Sequence, residues 1–187
     1  MDQRELVERA RRGDHDAFAT LAGASVARLD AAARLILRDH ELARDAVQEG
    51  FIRAWKSLPG LRNPESFDAW LRRLVVRSCF DAIRRRGRHP VEVELLPFDS
   101  PIIADETSII ADRELLDVAL RRLTPDLRAV VVLHYYLGLT LPDVAASLGI
   151  PTGTAKSRLN RSLGAMRASI TADGVPDAVP VPGGQLA

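Results

Sequence analysis

Apolar residues recur three and four positions apart along most of this chain, a spacing that lines one side of an α-helix and differs from the two-residue alternation of a half-buried strand. Leu29, Ala32, Ala33, Ile36 and Leu37 follow it as i, i+3, i+4, i+7 and i+8, which is the stripe of a helix seated on a core. Val47, Phe51, Ala54, Trp55 and Leu58 repeat it until Pro59 and Gly60 stop the run. Asn63 then stands as an N-cap with Pro64 at the first helical position. The long helix that follows runs through Phe67, Trp70, Leu71, Leu74, Val75, Cys79, Ala82 and Ile83 and ends in Arg84, Arg85, Arg86, Gly87 and Arg88. Nearer the start, Gly13 and Asp14 separate a short helix bearing Leu6, Val7 and Ala10 from a second one beginning near Asp16. The expected fold class is all-α.

The periodicity lapses between 89 and 108, where Pro90, Pro97 and Pro101 stand among Glu92, Glu94, Asp99, Asp105 and Glu106. Charge changes at the same place. Residues 1–88 carry 18 Lys and Arg against 13 Asp and Glu, residues 89–113 one against six, and residues 114–187 seven against six, so the net charge of +1 conceals a basic first part and an acidic connector. Helical spacing resumes with Leu115, Leu116, Ala119, Leu120 and Leu123. Thr124 and Pro125 then cap a helix through Leu127, Val130, Val131 and Leu133 that closes at Gly138. With 187 residues, 47% of them hydrophobic, two small cores are affordable. The expected layout is a helical domain over 1–88, a flexible acidic linker over 89–112, a second helical domain over 113–170 and an unstructured tail of prolines and glycines over 171–187.

Several function classes are excluded or disfavoured. The longest uncharged run, 129–142, has 14 residues and includes His134, short of the roughly 20 apolar residues that cross a bilayer. Asp2, Arg4, Glu5, Glu8 and Arg9 leave no apolar segment for a signal peptide, so a cytoplasmic protein without membrane insertion is expected. One cysteine, Cys79, forms no internal disulfide and reads as a small apolar filler. The four histidines are scattered and no acidic pair has metal-site spacing, so neither a metal, a cofactor nor a catalytic centre is expected.

The segment 140–167 has the pattern of a helix-turn-helix. Thr140, three residues before Asp143, starts a short helix that tolerates Pro142 in its first turn. Val144, Ala145 and Leu148 form its inner face, Gly149 supplies a tight turn, and Ile150 packs into the angle. After Pro151 and Thr152, the second helix buries Ala155, Leu159, Leu163 and Met166 and turns Lys156, Ser157, Asn160 and Arg161 outward. Such a face suits the major groove: arginine grips guanine bidentately, asparagine does so with adenine, and lysine and serine hold phosphates or bases. Thr154 completes the candidate surface, with Arg158 and Arg167 flanking the DNA backbone.

At this point the chain resembles a family, the bacterial RNA polymerase sigma factors of the extracytoplasmic-function group. One block of the match is Asp45-Ala-Val-Gln-Glu-Gly-Phe-Ile-Arg-Ala-Trp55, followed by Phe67-Asp-Ala-Trp-Leu-Arg-Arg-Leu-Val-Val76 and Asp81-Ala-Ile-Arg-Arg-Arg86. The other is Leu123-Thr-Pro-Asp-Leu-Arg128 leading into Gly153-Thr-Ala-Lys-Ser-Arg-Leu-Asn-Arg161. The resemblance implies a region 2 that docks on core RNA polymerase and opens the minus-ten promoter element, a region 4 that reads the minus-thirty-five element, and no enzymatic activity of its own. It implies polymerase contacts at Asp45, Gln48, Glu49 and Arg53, with Phe51 and Trp55 mainly in the core. It further implies a minus-ten surface with Arg62, Trp70, Arg73 and Arg77, extended by Arg84, Arg85 and Arg88 against the upstream duplex. A melted strand needs cations along its phosphates and aromatic surfaces beside its bases, although Phe67 and Trp70 are more often core than base platforms. Arg77 stands where many relatives carry asparagine, and Arg72 where an aromatic is frequent, which implies a stronger phosphate grip. Partners would be core polymerase, promoter DNA both duplex and melted, and, as a third class the resemblance admits, an anti-sigma factor. Two other classes compete: a repressor or activator that binds duplex DNA without polymerase, and an enzyme acting on nucleic acid.

Overall fold

The computed structural model describes the backbone of residues 2–87 and 108–172 and the side chains of 2–86 and 115–171; no strand occurs among them. The helices are α1 (Gln3–Arg11), α2 (His15–Leu37), α3 (His40–Ser57), α4 (Phe67–Gly87), α5 (Ser108–Arg121), α6 (Pro125–Val131), α7 (Leu141–Leu148) and α8 (Thr152–Ala172). Arg88 and the parts of the expected linker and tail at 89–107 and 173–187 lie outside the described residues.

The starts of α2 and α3 follow from side-chain caps. Asp14 Oδ1 accepts from the Ala17 amide at 3.0 Å and Asp39 Oδ1 from the Leu42 amide at 2.8 Å, each satisfying a first-turn donor that the helix itself leaves unpaired. Asn63 is a cap as expected, but of a 3-10 turn over Pro64–Ser66 that feeds α4, its Oδ1 accepting from the Glu65 amide at 3.1 Å. Thr124 occupies the N-cap of α6 without a side-chain bond. From Val132 to Tyr136 the ladder widens into a π-helix, Leu137 N donating to Val132 O at 3.1 Å, so the helix expected to run evenly to Gly138 changes pitch. The wide turn returns both Leu133 and Leu137 to the core.

Two corrections concern the ends of the second domain. Residues 108–112, assigned to the linker, open α5 instead, because neither proline nor glycine interrupts 108–121 and nothing breaks the ladder there. Residues 171 and 172, assigned to the tail, finish α8, and the Thr171 hydroxyl donates to Arg167 O at 2.8 Å within that helix.

Residues of α1 to α4 enclose one core around Val7, Leu58, Phe67, Leu71 and Val75, and residues of α5 to α8 a second around Val130, Leu133, Val144 and Ala155. Helices α3 and α4 approach closely at Gly50, where a Cβ would stand 2.8 Å from Val75 Cα. The two units also touch. Ala32 and Ile36 of α2 and Val76 of α4 belong to the second cluster, so the stripe on α2 divides, with Leu29, Ala33 and Leu37 facing the first core.

Candidate nucleic-acid interface

The helix-turn-helix forms as its residues dictate. Thr140 Oγ1 accepts from the Asp143 amide at 3.4 Å and donates to Asp143 Oδ2 at 2.6 Å, an N-terminal lock built from the expected pair. At the other end of α7 the chain turns through Gly149 at φ 67, ψ 37, a left-handed conformation that a side chain would strain. Ile150 N donates to Ala145 O at 3.0 Å to close the turn. Helix α8 then buries Ala155, Leu159 and Met166, with Leu163 half-buried. Ser162, absent from the sequence expectations, fastens α8 to α6: its hydroxyl donates to Leu127 O at 3.0 Å.

Lys156, Ser157, Asn160 and Arg161 are all exposed on the side of α8 away from that core, Thr154 is half-buried, and the Ser157 hydroxyl donates to Thr154 O at 3.0 Å. Arg158 is partly held back, its Nη1 3.2 Å from Asp126 Oδ1, and Arg167 is exposed. The outward row is thus a contiguous surface of three cation or amide side chains one helical turn deep, the dimensions that fit a major groove.

On α4 the structure sorts the candidates into two kinds. Arg73, Arg77 and Arg85 are exposed, as is Arg62 in the loop before Asn63. Trp70 is half-buried with its ring centroid 5.9 Å from that of the fully buried Phe67. Arg84 pairs with Asp81, and Arg86 with the capping carboxylate of Asp39 at 2.7 Å. Arg72 turns towards α7; burial is the main cause holding its guanidinium below the usual arginine range, the Asp143 carboxylate working against it.

On α3, Asp45 and Gln48 are exposed and Glu49 half-exposed. Arg53, by contrast, is a brace: its Nη1 lies 2.6 Å from Asp81 Oδ2 on α4 and its Nε 2.8 Å from Glu49 Oε1. The hydrogen bonds to Asp81 and Glu49 push the guanidinium above its ordinary pKa. Burial alone would raise Asp81, yet the bonds from Arg53 and Arg84 outweigh it and hold that carboxyl below the usual range. Ile52, 39% exposed, continues the α3 face and was missed; its position three residues after Glu49 and four after Gln48 was the available signal. Trp55 stacks on His15 at 4.3 Å and packs edge-on to Phe18.

Residues 23–89 match the family model of Sigma-70 region 2, and residues 113–166 that of Sigma-70, region 4. The ECF RNA polymerase sigma factor SigM of Mycobacterium tuberculosis is 34% identical over 151 residues, which cover 80% of this chain and 75% of that protein. The chain belongs to the ECF RNA polymerase sigma factors. SigE of Mycolicibacterium smegmatis, another ECF RNA polymerase sigma factor, is 37% identical over 135 residues, 68% of this chain, and there the match spans about half of the relative, 51%. Among solved structures, CnrH in complex with the cytosolic domain of CnrY aligns with a TM-score of 0.68 and 26% identity, over 92% of this chain and 100% of that one. The sigma factor RpoE in complex with the anti-sigma factor NepR from Bartonella quintana gives 0.67 and 26%, over 83% and 95%. In this sigma factor the region 2 match takes in most of α2 with all of α3 and α4, and the region 4 match runs from within α5 into α8, enclosing the helix-turn-helix. No described helix is long and apolar enough to cross a membrane, and no described group of three or more His, Cys, Asp or Glu could hold a metal ion.

Proposed function

We propose that this sigma factor acts in the cytoplasm, without a catalytic centre of its own, by holding core RNA polymerase through the exposed face of α3 while α8 reads the minus-thirty-five element and α4 the minus-ten element. The observation that carries it is the outward row of Lys156, Ser157, Asn160 and Arg161 on the second helix of a well-formed helix-turn-helix, in the segment that matches region 4. Arginine and asparagine there supply base contacts, and Lys156 and Arg158 phosphate contacts. Asp45, Gln48, Glu49 and Ile52 supply the polymerase contact, with Arg53 fixing Glu49 and bracing α3 against α4. Arg62, Arg73, Arg77 and Arg85 supply phosphate contacts to the melted strand and Trp70 an aromatic surface, with Arg84 and Arg88 assigned to the upstream duplex. The solved relatives bound to CnrY and NepR support an anti-sigma protein as a third partner. Footprinting with and without core polymerase tests the proposal. Protection of both promoter elements only when the two proteins are mixed is expected; strong protection of an operator by the chain alone, unchanged by polymerase, would identify a repressor instead.

A further inference from the structure

Two of the arginines assigned to DNA already hold a carboxylate, and the other described ones do not. Arg158 of α8 sets its Nη1 3.2 Å from Asp126 Oδ1 in the first turn of α6, 32 residues earlier. Arg84 donates to Asp81 Oδ1 on α4, but Asp81 also braces Arg53 through Oδ2 and so has a structural duty besides. Asp126 has none of that kind: among the described residues it pairs with Arg158 alone. Lys156 and Arg161, on the same helix as Arg158, are exposed and pair with no carboxylate among the described residues. Arg158 and Asp126 line one cleft with Arg77 and Arg84 of α4, so the carboxylate stands among cations that the promoter reading turns towards phosphates.

That placement works against DNA binding. A phosphate that approaches Arg158 meets a like charge beside the cation it seeks, and the guanidinium must loosen one partner to take the other. The side chains of Arg158 and Asp126 are 27% and 57% exposed, and a pair so open to water is worth a factor of at most about five. It is strong enough to subtract from phosphate affinity and weak enough to yield to a seated duplex. Towards its own helix Asp126 acts the other way, because an acidic side chain in the first turn stabilises the positive end of α6. A purely structural loss of the carboxylate would therefore weaken DNA binding, whereas loss of a counter-charge strengthens it. We propose that Asp126 is a counter-charge that sets the sequence-independent affinity of this sigma factor for DNA by withholding part of Arg158 from the phosphates. This rests on the promoter reading given above, in which Arg158 meets the DNA backbone. Base reading stays with Asn160 and Arg161, so Asp126 lowers binding to every sequence by the same factor and shortens the time spent on duplex that lacks promoter elements.

The test is a double-mutant cycle on the full chain, alone and as holoenzyme with core polymerase, titrated against a fluorescent duplex from a mapped promoter and a scrambled duplex of the same length. Asp126→Asn, which keeps the shape and removes the charge, is expected to raise affinity for both duplexes about two- to fivefold. The slope of log affinity against log salt is expected to steepen by up to about one, as Arg158 becomes a full phosphate contact. In the Arg158→Ala background the same substitution is expected to lose most of that gain. Glu8→Gln, which removes a carboxylate paired with Arg11 on α1, changes the net charge equally and is expected to leave both affinities as they are. Unchanged or lower affinity in Asp126→Asn, a gain confined to the promoter duplex, an equal gain in Glu8→Gln, or the full gain retained without Arg158 would each overturn the counter-charge. The sigma-factor reading is scored separately: holoenzyme that binds the promoter no better than core polymerase would sink that reading, while the cycle on the chain alone still decided what Asp126 does.

Discussion

Gly50→Ala is expected to destabilise the first domain even though alanine is the better residue for the middle of a helix. On propensity alone the change favours α3 by about 1 kcal/mol. The Cβ, however, would stand 2.8 Å from both Cα and Cγ2 of Val75 and 3.2 Å from its amide nitrogen, where ordinary contact begins at 3.4 Å. Two of these atoms are backbone, so α4 itself must retreat by about 0.6 Å, a form of overpacking that costs about 1–3 kcal/mol. Gly23→Ala in α2 is the internal control, since its Cβ meets nothing within 4 Å and should gain the propensity term in full. The propensity term cancels between the two variants, leaving a gap of about 1–3 kcal/mol that reports the α3–α4 approach alone. Urea denaturation followed by tryptophan fluorescence measures it, because both tryptophans, Trp55 and Trp70, lie in this domain. Equal stabilisation by the two substitutions would refute the close packing that aligns the exposed face of α3 with the basic face of α4.

Arg161→Ala is expected to lose about 1–3 kcal/mol of discrimination at one base of the upstream element, measured by binding of holoenzyme to promoters varied at each position; equal weakening at every position would contradict base reading. Lys156→Ala is expected to reduce the slope of log affinity against log salt by about one, and an unchanged slope would place the ammonium in solvent. Glu49→Arg is expected to lower the yield of polymerase co-purified with the chain while leaving its thermal unfolding in place; full co-purification would remove Glu49 from that surface. Burial pushes the Cys79 thiol up from 9.0 to about 12. The folded chain therefore favours the protonated form, and stability from this group is complete below about pH 9 and declines as pH rises towards 12. Thiol reagents at pH 8 should label it only as fast as the domain opens, whereas immediate labelling of the native chain would contradict its burial.

Much of the fold was legible because helical periodicity, caps and breakers are local. Asp14, Gly13, Asn63, Gly149 and the Thr140 and Asp143 pair act within a few residues, and each does in the structure what its type allows. The outward row on α8 was legible for the same reason, since it follows once Ala155, Leu159 and Met166 are assigned inward. What stayed hidden depends on residues distant in sequence. Nothing local shows that Ile36 and Leu37, adjacent on one stripe, face different cores, or that Arg128, one arginine among 24, would be buried against a carbonyl 92 residues away. Arg53 looked like a surface cation because its partner Asp81 is 28 residues further along. The early start of α5 was obscured by the prolines and acids before it, which drew the expected boundary too far along the chain.

The most direct test of the central claim is promoter-directed transcription by purified core polymerase on DNA of the source genome, with and without this chain, the starts mapped to the nucleotide. New starts that require the chain, each preceded by a shared pair of elements and weakened by Arg161→Ala, are the expected result. Core polymerase whose starts are the same with and without the chain would contradict it.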